Sequence, residues 1–373
     1  MKKHTHLLSL VLLFLFACSE KQKESSLKST DNLNNYTIKK SDTLVFHSEP
    51  GHSMNSNFFS IVDHNLFQQG NLDNSIYSFD INSKIHQFKL SIPEYGPKKI
   101  GKIQGFLFNS TDSIYVVAPI QNEIILLDSA MNIHETYPIE NDKIKIASFS
   151  QMPLLEFDSL FVVSCLPEVD YYNDPRFIIY DKESKKVINN LKISDFIGYK
   201  NYNLLFALNS ITKLNSNEIA ISIGVNETVF IYNLKTLKVT DKINMSSKTF
   251  TKTEPIEKNN TVSTKDRLER SYYKTIHKIN IDNNTLLLRT TSLSTEAYDP
   301  EGNLRSLYDK KQSIIIYDLT NEEKIGEFVL PKNIYDFRTA FTYDNRIYFL
   351  LNNPNSENEE NLMKFVGYEI SEI

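Results

Sequence analysis

The feature that most constrains the fold is a recurring unit of short β-runs. In each unit one apolar run closes on an aromatic or aliphatic residue followed by Asp, Asn or Glu. The six runs are residues 76–80 (IYSFD), 124–128 (IILLD), 177–181 (FIIYD), 229–233 (VFIYN), 314–318 (IIIYD) and 364–369 (KFVGYE). Their closing residues stand 48, 53, 52, 85 and 51 positions apart. Runs of this length, rich in β-branched and aromatic residues, read as strands. A period near 50 built from several such strands is the pattern of propeller blades. Length alone invites the alternative of a β-sandwich plus a second domain, but that alternative has no need of six matched units.

The units resolve into strands. In the second, residues 105–110, 113–118, 123–128 and 134–139 alternate with turn residues. In the third, residues 158–163 open the second strand and 186–193 supply the fourth. The long interval contains the polar stretch 246–270, which reads as an insertion rather than a seventh blade. The sixth unit has strands at 337–343, 346–352 and 364–370 and no outer strand. Residues 43–47 (TLVFH) form a strand with no unit of their own. Pairing the two closes the ring and removes an open edge, which is otherwise an aggregation hazard. Leu44 and Phe46 are then expected beside Phe365 and Val366. The expected architecture is an all-β, six-bladed β-propeller over residues 36–373, with the N-terminal strand closing the last blade.

Composition fits this reading. The 373 residues include 20 Tyr, 23 Phe, no Trp and only 10 Gly, so Gly-rich phosphate-cradling loops are excluded. Lys plus Arg is 41 against 46 Asp plus Glu, a net charge of −5 with the signs interspersed. That leaves no basic footprint, so a nucleic-acid partner is not expected.

The N-terminus carries the most specific signal. Lys2, Lys3 and His4 precede a ten-residue apolar run over 7–16. Ten helical residues rise about 15 Å, against a bilayer core of about 30 Å, so the run is a secretory signal rather than a span. The run ends in Leu15-Phe16-Ala17-Cys18, which resembles the lipobox of bacterial lipoproteins, with Phe16 where a small residue is usual. The resemblance implies cleavage before Cys18, a lipid on its thiol and acylation of the new amine. Residues 1–17 are then the lipoprotein signal peptide and 18–35 a lipidated, polar, flexible tether. The membrane, reached through acyl chains on Cys18, is the first expected partner. Ser19 after the cysteine favours the outer membrane, with the periplasmic or surface side left open. Cys165 lies in an apolar strand and is expected in the core, so no disulfide is expected.

At residues 92–101 (IPEYGPKKIG), together with Gly105-Phe106 and Asp112-Ser113-Ile114-Tyr115, the chain resembles the bacterial envelope lipoprotein family catalogued as domain of unknown function 4221. The resemblance covers residues 36–373 and implies a TolB-like, six-bladed propeller with a Glu-Gly-Pro turn after its first blade. Here Tyr95 stands between Glu94 and Gly96. The family has no assigned activity, so the resemblance implies fold and location but no reaction.

Function must come from the loops. In a propeller the second-to-third and fourth-to-first connections share one face, and long loops carry function disproportionately. The long ones here are 166–175, 292–312 and 353–361, with the turn at 94–101 beside them. Candidate ligand-binding residues on that face are Glu94, Tyr95, Asp170, Tyr171, Tyr172, Asp174 and Arg176, a set able to stack on and hydrogen-bond a sugar or peptide. Read otherwise, Asn173-Asp174-Pro175 is a turn and the tyrosines cap the core. Arg289 and Arg338 either line the channel or form structural ion pairs. There is no HExxH, no G-x-S-x-G elbow and no Walker or dinucleotide fingerprint, so neither a metal, a cofactor nor a catalytic residue is expected. The sequence therefore reads as a lipid-anchored binding or scaffold protein for a peptide, protein or glycan. The rival is a lactonase-like propeller hydrolase with a metal in its central channel.

Overall fold

The computed structural model describes residues 36–47, 58–70, 73–96, 99–141, 143–167, 170, 172–198, 203, 209–250, 261–330, 335–351 and 362–372. The signal, lipobox and tether read from residues 1–35 lie outside them. The chain enters on β1 (Tyr36–His47), which belongs to the last blade. Blade 1 is β2 (Phe59–Val62), β3 (Asn65–Gln69), β4 (Ser75–Asp80) and β5 (Ile85–Ser91), and blade 2 is β6 (Phe106–Ser110), β7 (Ser113–Ala118), β8 (Glu123–Leu127) and β9 (Ile133–Pro138). Blade 3 has a divided inner strand, β10 (Lys145–Ala147) and β11 (Leu155–Glu156), then β12 (Leu160–Leu166), β13 (Phe177–Asp181) and β14 (Lys186–Leu191), with a short helix α1 (Ile193–Ile197) after it. Blade 4 is β15 (Asn209–Lys213), β16 (Glu218–Ile223), β17 (Thr228–Asn233) and β18 (Lys238–Asn244). The insertion carries helix α2 (Thr264–Glu269) and leads into blade 5, β19 (Tyr272–Ile281), β20 (Asn284–Ser292), β21 (Gln312–Asp318) and β22 (Glu323–Val329). Blade 6 is β23 (Tyr335–Tyr343), β24 (Arg346–Leu351) and β25 (Leu362–Glu372), completed by β1.

The six apolar runs are the third strands of the six blades. Six large hydrophobic clusters, one between each pair of neighbouring blades, explain why these runs barely alternate. Ile314 and Ile316 pack toward blade 6 while Ile315 packs toward blade 4, so both faces of the strand are buried. The outermost strands face solvent on one side and do alternate, as β5 and β14 show.

The acidic or amide residue that closes each run has a local task. Asp80 Oδ1 accepts the N–H of Ser83, Asp181 Oδ1 that of Ser184, and Asp128 Oδ1 those of Ala130 and Asn132. Asn233 and Asp318 hold the same hairpin in blades 4 and 5. Each side chain supplies the acceptor that lets the backbone reverse without glycine. Blade 6 ends its run in Glu369, where no hairpin follows.

The N-terminal strand closes the ring. β1 runs antiparallel to β25 with Thr43 opposite Val366 and Leu44 opposite Phe365, and the Phe46 and Phe365 rings meet edge to face at 6.1 Å. A bulge between Lys40 and Thr43 brings β1 against Gly367, where a Cβ would meet Ser41 Oγ and the Tyr348 ring at 2.7 Å. Only glycine permits that approach. The hairpins joining first to second and third to fourth strands make one face of the disc, the turn face. The remaining connections make the other, the loop face. Tyr36 pairs with Glu372 at the turn-face end, so the chain enters the propeller on the face opposite the long loops.

Candidate functional site

A hairpin of blade 3 crosses the middle of the ring. Between β10 and β11 the chain leaves the sheet as a small hairpin, with Phe149 and Met152 exchanging backbone hydrogen bonds of 3.2 and 2.9 Å. Ser150 Oγ accepts the N–H of Phe59 on the inner strand of blade 1 at 2.9 Å. The Gln151 carbonyl accepts the N–H of Ile211 on the inner strand of blade 4 at 3.0 Å. Blades 1 and 4 stand opposite in a ring of six, so a hairpin bonded to both crosses the axis. Met152 is buried between blades 3 and 4 and anchors it. Nothing in the sequence separates Ser148-Phe149-Ser150-Gln151-Met152-Pro153 from an ordinary turn.

On the loop-face side of this hairpin lies a cleft of about 350 Å³. Phe58 and Phe149 line it from the channel, Ile103, Pro119 and Ile120 from the connections of blades 1 and 2, and Gln69, Lys102, Gln104 and Ser148 are its polar lining residues. The frame is fixed by side-chain amides, of which Asn74 and Asn122 are buried and Gln69 half-buried. Gln69 donates to the Ile103 carbonyl and accepts from the Gly105 N–H. Asn74 bonds Ile92, Gly101 and Ile103, and Asn122 repeats the arrangement one blade on with Ile139, Ile144 and Ile146. Both asparagines sit at left-handed backbone angles (φ 49° and 60°), which asparagine tolerates better than most residues. Gly105, at φ 100°, passes so close to Ser148 that a Cβ would lie 2.3 Å from the serine Cβ.

The sequence-derived candidates divide. Glu94 is half-buried and Tyr95 exposed in the connection from blade 1 to blade 2, on the loop face. Asp170 and Asp174 also lie there, but they brace their own loop. Asp170 accepts from the Tyr172 N–H and the Asn173 amide, and Asp174 accepts from the Asp170 N–H at 2.7 Å. Tyr171 and the side chain of Arg338 lie outside the described residues. Three candidates are buried within the blades instead of presented to a ligand. Tyr172 is completely buried in the cluster between blades 3 and 4, because the turn at Asn173 directs it inward. Arg176 is buried at the start of the third strand, its N–H bonded to the Leu191 carbonyl. Arg289 has no exposed surface. Its guanidinium bonds Ser222 Oγ and the carbonyls of Ile223, Asn226, Glu227 and Met245, and lies 3.5 Å from the Tyr273 ring centroid. All five donors are spent within the protein, and burial pulls its pKa down to about 9. It clamps blade 4 to blade 5 and makes no ion pair among the described residues.

Buried Lys310 and half-buried His277 also bond within the protein. Lys310 Nζ donates to the carbonyls of Arg267 and Arg270 at the end of α2, tying the insertion to the loop of blade 5. Burial lowers its pKa to about 7. Burial also lowers His277 to about 4, leaving a neutral ring against Thr275 Oγ1.

The loop face has a character that the candidate residues did not reveal. Of the eight large hydrophobic side chains that stand exposed among the described residues, Tyr95, Ile120, Leu166, Tyr298 and Leu304 all belong to loop-face connections or strand ends. The other three, Ile85, Ile133 and Ile188, sit on outermost strands. The channel hydrolase reading needs carboxylates or amides converging on the axis. The hairpin crosses that axis, and among the described residues no three His, Cys, Asp or Glu side chains gather into a metal-ion site.

The six four-stranded blades define the fold as a six-bladed β-propeller. Among solved structures it is similar to a member of the DUF4221 family from Bacteroides vulgatus ATCC 8482, with a TM-score of 0.72 and 16% identity over 91% of this chain and 100% of that one. This agrees with the resemblance carried by residues 92–101. It is also similar to a protein from Bacteroides fragilis NCTC 9343 whose name describes it as exported, with a TM-score of 0.55 and 12% identity over 92% and 97% of the two chains. At these identities the likeness is one of fold. No family model and no curated protein matches the sequence.

Proposed function

We propose that the protein is a lipid-anchored propeller of the cell envelope that binds a peptide, protein or glycan on its loop face, without catalysis of its own. The observation that carries this reading is the concentration of exposed Tyr, Ile and Leu side chains on the face that also bears the long loops. Aromatic and aliphatic side chains left in water at connections are the usual anchors of recognition surfaces. The anchor reading rests on the lipobox-like segment ending at Cys18, and the exported neighbour supports an envelope location. Entry of the chain at the turn face supports an outward-facing loop face. The test is a screen of the protein on peptide and glycan arrays, beside a Tyr95→Asp/Tyr298→Asp/Leu304→Asp variant. All three side chains are exposed, so the fold should survive. An enriched ligand class whose binding falls at least about tenfold in the variant is expected. Absence of any enriched ligand, or binding indifferent to the three substitutions, overturns the proposal.

A further inference from the structure

We infer that the cleft over the channel hairpin is a pocket for a small carboxylate with an apolar body, of the kind presented by the free C-terminal hydrophobic residue of a peptide. The inference rests on the loop-face reading and names a ligand chemistry for one part of that face. Three observations converge on it. The first is shape. The hairpin crosses the channel beneath the cleft, whose volume of about 350 Å³ is offered to a group entering from the loop face. Such a volume lies at the small end of ligand sites, suited to one side chain and its terminus rather than an extended chain.

The second is its lining. Phe58, Phe149, Ile103 and Pro119 offer apolar surface, and Ile120 projects at the mouth with 76% of its surface exposed. An aliphatic side chain so placed has apolar area to gain from an occupant.

The third is charge. Lys102 is the one ionisable residue of the lining, it is exposed, and it takes part in no ion pair or hydrogen bond among the described residues. The Gln104 side-chain amide is similarly uncommitted, whereas the Gln69 amide is spent on Ile103 and Gly105. Among the described lining residues, which also include Ser148, one ammonium and one amide are uncommitted and none is a carboxylate, a set that selects an acceptor-rich anion over a cation or a neutral sugar.

Ligand-observed NMR titration with N-acetyl-phenylalanine and with its C-terminal amide tests the assignment on the intact protein. The two probes share a body and differ by the carboxylate. The acid should bind more tightly than the amide by a few-fold, up to about fivefold, the range of a solvent-accessible ion pair. Lys102→Ala should abolish the difference while leaving amide binding intact. Ile120→Asp should lose both probes at unchanged melting temperature. Equal binding of the two probes, or a preference that survives Lys102→Ala, overturns the assignment. If neither probe binds but array ligands still respond to the Tyr95, Tyr298 and Leu304 substitutions, the cleft is excluded and the loop-face reading stands.

Discussion

Glu156 shows how individual residues hold this molecule together. It lies on the inner strand of blade 3 near the turn face, and its Oε1 accepts from Tyr115 at 2.9 Å and Lys182 at 2.8 Å. Its Oε2 accepts from Asn109 at 2.6 Å, and its carbonyl accepts from Lys213 of blade 4. Burial pushes this carboxyl upward, yet the bonds from Lys182, Asn109 and Tyr115 outweigh it and the pKa falls below the ordinary value. A carboxyl whose folded pKa is depressed stabilises the fold above its unfolded pKa of about 4.3 and loses that contribution as pH falls through the folded value. Glu156→Gln should therefore cost about 1–3 kcal/mol at pH 7, and the deficit should shrink as the pH is taken below about 4. Urea midpoints of both proteins at pH 7 and at pH 3.5 measure it, and a deficit that does not change with pH would show that charge is not what matters. Arg289 teaches the complementary lesson. Its sequence context admitted a channel-lining role, but only the fold brings four carbonyls and a serine around it. Burial of Tyr172 is hidden in sequence for the same reason, since it depends on packing against the neighbouring blade 4.

At the scale of elements, third strands were legible and the channel hairpin was not. A third strand buries both faces and ends in a side-chain-capped turn, so its near-continuous apolar run and closing Asp or Asn both appear in the chain. The outer strand of blade 6 was legible by a different route, as a strand without a unit facing a unit without a strand. The hairpin at 149–152 has neither mark. Its place is set by bonds from Phe59 and Ile211, which lie far from it in sequence. The exposed positions of Ile120, Leu166 and Leu304 are equally silent, because an aliphatic residue beside a turn reads as core until the neighbouring blades are in position. The closing strand makes the clearest prediction. Phe46 is fully buried against Phe79 and Phe365, at the seam between the last blade and the first. Phe46→Ala should lower stability by about 3–5 kcal/mol, the usual cost of emptying a buried aromatic site. Because β1 is the strand that covers β25, its loosening should also expose an edge and promote self-association. Light scattering after size-exclusion chromatography should show concentration-dependent oligomers in the variant; a destabilised but strictly monomeric variant would show that β1 is not what protects the edge.

For the whole molecule, the direction of the ring decides what an anchor at Cys18 would accomplish. β1 begins at the turn face and ends at the loop face, and the anchor proposed on Cys18 precedes it. Lipidation would therefore hold the turn face toward the bilayer and direct Tyr95, Ile120, Tyr298 and Leu304 away from it. A blade of about six residues per strand is about 20 Å tall, enough to separate the two faces in an energy-transfer experiment. Ser129, exposed in the third-to-fourth hairpin of blade 2, reports the turn face, and Glu301, exposed in the long loop of blade 5, reports the loop face. Cys165 is buried and burial pushes its thiol up to about 12, so a cysteine introduced at either position is labelled selectively. On vesicles carrying an acceptor lipid, the lipidated Ser129→Cys protein should transfer energy more efficiently than Glu301→Cys, and Cys18→Ala should abolish transfer from both by releasing the protein. Stronger transfer from Glu301 would mean that the loop face meets the membrane. In that case its exposed tyrosines and leucines would be lipid contacts, and a soluble ligand would have to be sought elsewhere on the propeller.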